Sequence, residues 1–135
     1  MSGRYITTVS AHFPHRMAAA ASLYGVGIIT DKEDSPHLLL DKIKGELYYA
    51  FAETDQSVPA HILGELKQAL DKADAKHELK VFPGTHHGFC FPERAVYDTL
   101  AADFRDVGPL LEVRSSASAR PASRSFSVVR PRKRQ

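Results

Sequence analysis

The sequence predicts an α/β protein built on a parallel sheet, and three observations carry that prediction. Apolar runs of strand length alternate with one strongly periodic helix. The order strand–helix–strand–helix is that of parallel strands joined by crossovers, since parallel neighbours need a long connection. Gly25, Gly45 and Asp34-Ser35-Pro36 punctuate the elements as turn residues.

Each element follows in chain order. Residues 3–13 read as a short helix, and Pro14 ends it. Residues 17–24 are small and apolar and close at Gly25, which predicts a strand buried on both faces. Residues 26–45 read as loop, with a helical turn over 38–43. Glu46-Leu47-Tyr48-Tyr49-Ala50-Phe51-Ala52 is rich in aromatics and predicts a second strand. A helix follows, with Ser57 as its N-cap and Pro59 in its first turn. Ile62, Leu63, Leu66, Ala69, Leu70 and Ala73 form its apolar face. Residues 77–83 alternate polar and apolar as a third strand. Pro92 opens a last helical stretch with Val96, Leu100 and Phe104 as its stripe.

At 135 residues the chain has room for one domain of modest core. Its net charge of +2 conceals an asymmetry. Residues 1–113 hold 11 basic and 16 acidic residues, whereas residues 114–135 hold seven basic residues and no acidic one. The composition therefore divides the chain into a domain over 1–107 and a Ser/Arg/Pro-rich tail over 108–135, expected to be disordered. The tail lacks interleaved aromatics and a folded basic face, so it reads as solvated rather than as a nucleic-acid or membrane contact. No run reaches the ~18 apolar residues of a membrane span. A single cysteine, Cys90, excludes an internal disulfide, and a cytoplasmic protein is expected.

In a parallel sheet, functional groups collect in loops at the carboxyl ends of the strands. Asp55 lies just past the second strand and His87 just past the third, within Gly84-Thr85-His86-His87-Gly88-Phe89. A carboxylate fixes an imidazole's tautomer and stabilises its charged form, and the imidazole activates a Ser or Cys. The order of acid before base is that of the α/β-hydrolase arrangement. Spacing alone is weak evidence, because Asp and His are common in loops, and it favours loop residues without chemistry.

Residues 1–103 resemble the carboxyl-terminal portion of the dienelactone hydrolase family in several collinear motifs. These are Ser2-Gly3-Arg4 with Arg16-Met17-Ala18-Ala19-Ala20, Gly25, Asp34-Ser35-Pro36, Glu53-Thr54-Asp55 with Val58-Pro59, and Phe82-Pro83-Gly84-Thr85-His86-His87-Gly88-Phe89. The resemblance implies a partial α/β-hydrolase fold of about three parallel strands with flanking helices. It implies cleavage of a small-molecule ester or lactone by a Cys-His-Asp triad, with Asp55 as acid and His87 as base. Adjacent His86 and His87 with Asp55 do not read as a metal site, because adjacent side chains diverge and no further ligand is apparent, and no cofactor is expected.

The departures from the family are as informative. The family's nucleophile turn reads G-x-C-x-G-G or close to it, and Met1-Ser2-Gly3-Arg4 resembles the segment after that cysteine. The nucleophile is thus expected immediately before residue 1, and the chain is expected to be a truncated and inactive form. Phe91 stands where members that cleave dienelactone carry an arginine for the substrate carboxylate. Loss of the upstream strands is expected to leave the first strand with an open edge for self-association. A pseudoenzyme that pairs with another chain, or binds anionic partners through its tail, is the alternative. Among the other residues, His86 reads as a loop residue, Cys90 as an idle thiol and Ser10 as a helix-surface residue. Tyr48, Tyr49 and Phe51 read as core.

Overall fold

A computed structural model describes residues 2–102, and its three parallel strands run in the order β1-β2-β3. They are β1 (Ala19–Leu23), β2 (Glu46–Thr54) and β3 (His77–His86). Every residue of β2 from Leu47 to Ala52 is buried, so Tyr48, Tyr49 and Phe51 are core as expected. Leu47, Tyr49 and Phe51 face a core with Leu66 and Leu70, while Tyr48 and Ala50 pack with Leu23 and Phe82 on the other side. An unbroken apolar run is the pattern of a strand covered on both faces.

That position belongs to β2 and not to β1. The first strand lies at an edge with Ala21 exposed, which corrects the expectation of burial on both faces. Its small residues serve a different purpose, the close approach of helix α1 (Ser2–His12). A Cβ on Gly25 would stand 2.6 Å from the Gly3 Cα and 2.2 Å from Ser22 Oγ, so helix and strand meet backbone to backbone. Thr7 donates to the Gly3 carbonyl at 2.8 Å, leaving the Tyr49 hydroxyl to donate to Thr7 at 2.6 Å. Ser10 also lies on this inner face, 2% exposed, and is not the surface residue expected. The helix stops two residues before Pro14.

A 3-10 segment (Pro36–Lys42) occupies the expected helical turn. Buried Ser35 accepts the Thr30 N–H at 2.9 Å and lies 2.7 Å from His37 Nδ1. Arg4 pairs with Asp34 at 2.6 Å, tying this loop to α1. Asp34 is largely exposed and Arg4 half-buried at the surface, so the pair contributes at most about 1 kcal/mol.

Helix α2 (Ala60–Lys72) buries Leu66 and Leu70, and Ile62, Leu63, Ala69 and Ala73 pack beside them as predicted. Its N-cap is Pro59, not Ser57, because the Ser57 N–H turns back to Asp55 Oδ1 at 2.8 Å. The helix begins only after that turn. The predicted last helix is absent from 92–102, which forms turns. Its intended stripe has no core to meet, with Val96 36% and Leu100 88% exposed. Phe104 and the tail lie outside the described residues. No helix among the described residues is long and apolar enough to cross a membrane.

Candidate active site

Two strands deliver the candidate carboxylate and imidazole. Asp55 follows directly on Thr54, the last residue of β2. The pairing of β2 with β3 is regular from Leu47↔His77 to Ala52↔Phe82, then shifts so that Thr54 pairs with His86. Pro83, Gly84 and Thr85 therefore stand opposite Glu53 alone. This bulge carries Gly84 at φ +72, a left-handed conformation that glycine adopts without a Cβ penalty. Glu53 secures it by accepting the Gly84 N–H at 2.8 Å. Thr85 is buried and donates to the Phe82 carbonyl at 2.7 Å. The third strand thus runs to His86 and not to Pro83 as predicted, and the bulge aims His87 at the neighbouring strand's end.

There His87 Nδ1 lies 2.6 Å from Asp55 Oδ2. The Asp55 side chain is 1% exposed and that of His87 38%. Both carboxylate oxygens are engaged, Oδ1 by the Ser57 N–H and Oδ2 by the imidazole. Donors on both oxygens hold this buried carboxylate in one orientation. It takes the proton on Nδ1, which leaves Nε2 of the neutral ring as an acceptor. Among the described residues no hydroxyl or thiol hydrogen-bonds with that Nε2.

The pair opens on a cleft of about 310 Å³ lined by Thr54, Asp55, Gln56, Ser57, His86, His87 and Arg94. His86 is exposed on its rim. Two further residues of the surroundings were not singled out in the sequence. The Tyr24 ring stands 5.1 Å from the His87 ring and meets Phe89 edge-on at 5.6 Å. Its backbone has φ 41, and its N–H bonds the Ala50 carbonyl at 2.6 Å. Burial, reinforced by the neighbouring Cys90, pushes the Tyr24 hydroxyl up to about 12. Arg94 lies over the Phe91 ring at 5.3 Å, three residues beyond the position expected for a substrate-binding arginine. A tyrosine before Gly25 and an arginine beyond the histidine were the only signals, and neither spacing is specific. Burial raises the Cys90 thiol, with the Tyr24 hydroxyl opposing it, so this thiol is protonated and unsuited to attack.

Comparison with known proteins identifies the family. The model of the dienelactone hydrolase family matches residues 1–105. The chain belongs to that family. A provisionally named carboxymethylenebutenolidase of Synechocystis sp. is 36% identical over 103 residues, covering 74% of this chain and 42% of that protein. The crystal structure of a provisionally assigned dienelactone hydrolase from Klebsiella pneumoniae superposes with a TM-score of 0.72 at 25% identity. That match covers 82% of this chain and 48% of the other. The family member described here therefore spans less than half the length of these relatives, and its strands and flanking helices are part of an α/β-hydrolase fold.

Proposed function

We propose that Asp55 and His87 are the acid and base of an ester- or lactone-hydrolysing site, and that these 135 residues alone are catalytically silent. The carrying observation is the 2.6 Å contact between His87 Nδ1 and a fully shielded Asp55 carboxylate. In the complete reaction, Nε2 removes the proton of a cysteine thiol while Asp55 stabilises the imidazolium that forms. The thiolate adds to the substrate carbonyl, and the imidazolium returns the proton to the departing alkoxide. Water, deprotonated by the same nitrogen, then releases the acid and restores the thiol. The chain supplies the two groups that move and stabilise the proton. It has no thiol suited to the attack, since Cys90 follows the base and is held protonated.

Hydrolysis of 4-nitrophenyl acetate by the purified chain tests the silent reading. The expected rate equals that of His87→Ala. A faster rate that His87→Ala abolishes would show a working nucleophile within the chain. With the nucleophile supplied, Asp55→Asn is expected to lower kcat by about a thousandfold or more, because the imidazole loses its tautomer and its counter-charge. An unchanged kcat would remove Asp55 from the role of acid.

A further inference from the structure

Tyr24 leaves the end of β1 in a conformation that an aromatic residue rarely takes. Its φ of 41 lies in the left-handed region, which a Cβ makes unfavourable. Asp74, at φ 50 beyond α2, is of a residue type that tolerates this backbone, whereas a bulky ring gives no such tolerance. A residue of this kind persists only where its surroundings over-determine it, and such outliers collect at functional sites. The surroundings of Tyr24 meet that condition. Its N–H bonds the Ala50 carbonyl at 2.6 Å, and its hydroxyl bonds the Cys90 side chain. Its ring meets Phe89 edge-on at 5.6 Å and Phe91 at 5.9 Å. Directly after it, Gly25 is pressed against Gly3 of α1, so the turn cannot slide away from these contacts.

A further contact of the ring is with His87, at 5.1 Å between centroids and 57° between planes. Asp55 engages Nδ1 alone, and one hydrogen bond fixes a point on a ring without fixing its plane. The imidazole otherwise sits in a turn beyond β3, with 38% of its side chain exposed. We infer that Tyr24 is a positioning residue for His87, its ring setting the plane of the imidazole while Asp55 sets the tautomer. The hydroxyl is the anchor of that ring. Raised to about 12, it stays protonated at neutral pH and donates to Cys90. Three strands thereby converge on one imidazole, β2 through Asp55, β3 through its bulge and β1 through Tyr24. The use of a fixed plane rests on the acid–base reading above, since only a base must keep Nε2 in one direction. The contact itself does not.

NMR of the full chain with isotope-labelled histidine reads the Nδ1 proton of His87 and its exchange with water. Tyr24→Phe keeps the ring and drops the hydroxyl, and exchange should change by less than about twofold. Tyr24→Gly suits the left-handed backbone but removes the ring, so exchange should quicken by about threefold to tenfold. Tyr24→Leu retains bulk and the backbone penalty without a ring, and it should match Tyr24→Gly. Circular dichroism checks that the sheet survives in each. A purely structural role predicts a different order, with Tyr24→Gly the mildest change because it relieves the backbone. Protection of the Nδ1 proton that is unaltered in Tyr24→Gly and Tyr24→Leu overturns the inference. Loss as great in Tyr24→Phe as in Tyr24→Gly also overturns it, in favour of the hydroxyl and Cys90. Failure of both ringless variants to fold does the same, because the ring would then serve the fold. Asp55→Ala separates this test from the acid–base reading. It should release the Nδ1 proton, and protection that persists there would defeat that reading while leaving the ring contact in place.

Discussion

Asp55 and His87 reach the cleft from strands of opposite character. The strand before Asp55, β2, is central, regular and buried from Leu47 to Ala52, and Asp55 leaves it without irregularity. The strand before His87, β3, is an edge with Val81 42% exposed, and it bulges before delivering the imidazole. The proposed acid is shielded and fixed, as a rigid central strand allows. The proposed base is partly open to solvent, at the end of a strand that is bent locally. The sheet's interior fixes one partner while its margin adjusts the other.

Four experiments sharpen or break this contrast. The largest effect is expected from truncation of equivalent hydrophobic residues. Tyr49→Ala removes a fully buried ring and its bond to Thr7, which should lower unfolding free energy by about 3–5 kcal/mol in urea titration. Val81→Ala on β3 should lower it by under about 1 kcal/mol. Similar values for both would erase the distinction between the strands.

Next comes pH. Burial pushes the Tyr49 hydroxyl from 10.0 up to about 12. A folded-state pKa above the unfolded value stabilises fully below about pH 10, and that stabilisation is lost as pH rises through about 12. Roughly 2 kcal/mol should disappear over this window, and Tyr49→Phe should flatten the slope. A slope unchanged in Tyr49→Phe would place the titration elsewhere, with Tyr24 the first alternative because it is raised to a similar value.

Smaller effects belong to the bulge. Gly84→Ala meets no atom within 4 Å, so only the left-handed backbone penalises it, by about 1 kcal/mol. Thermal melting should register that loss, and NMR should show the His87 imidazole resonances shifting away from their Asp55-bound position. Glu53→Gln keeps the shape but weakens the charge-assisted bond to the Gly84 N–H. A loss below about 1 kcal/mol is expected, with broadened His87 resonances as the clearer sign. Sharp, unmoved resonances in both variants would show that the bulge does not position the base.

The sequence made the alternation of elements legible because β2 and α2 have strong, unequal periodicities. It likewise made legible that Asp55 and His87 share one edge of the sheet, since both sit where parallel strands end. Position within the sheet was not legible. The residues of β1 are as small and apolar as those of an interior strand, and only pairing shows that α1 explains their size. Ser57 has the chemistry of an N-cap, but Asp55 competes for its N–H and wins. Val96 and Leu100 have helical spacing, but no apolar surface rewards a helix there. Tyr24 and Arg94 join the surroundings of His87 only through tertiary contact, which leaves no local periodic trace.

The bulge at Pro83-Gly84-Thr85 has a wider consequence. Because the ladder from Leu47 to Ala52 is complete before the excursion begins, changes in its length or stiffness can swing the imidazole without disturbing the sheet. Substitutions at these three positions could redirect His87 while the protein kept its form. In this chain the form of the sheet and the aim of the imidazole are separable, and the seam between them is three residues wide.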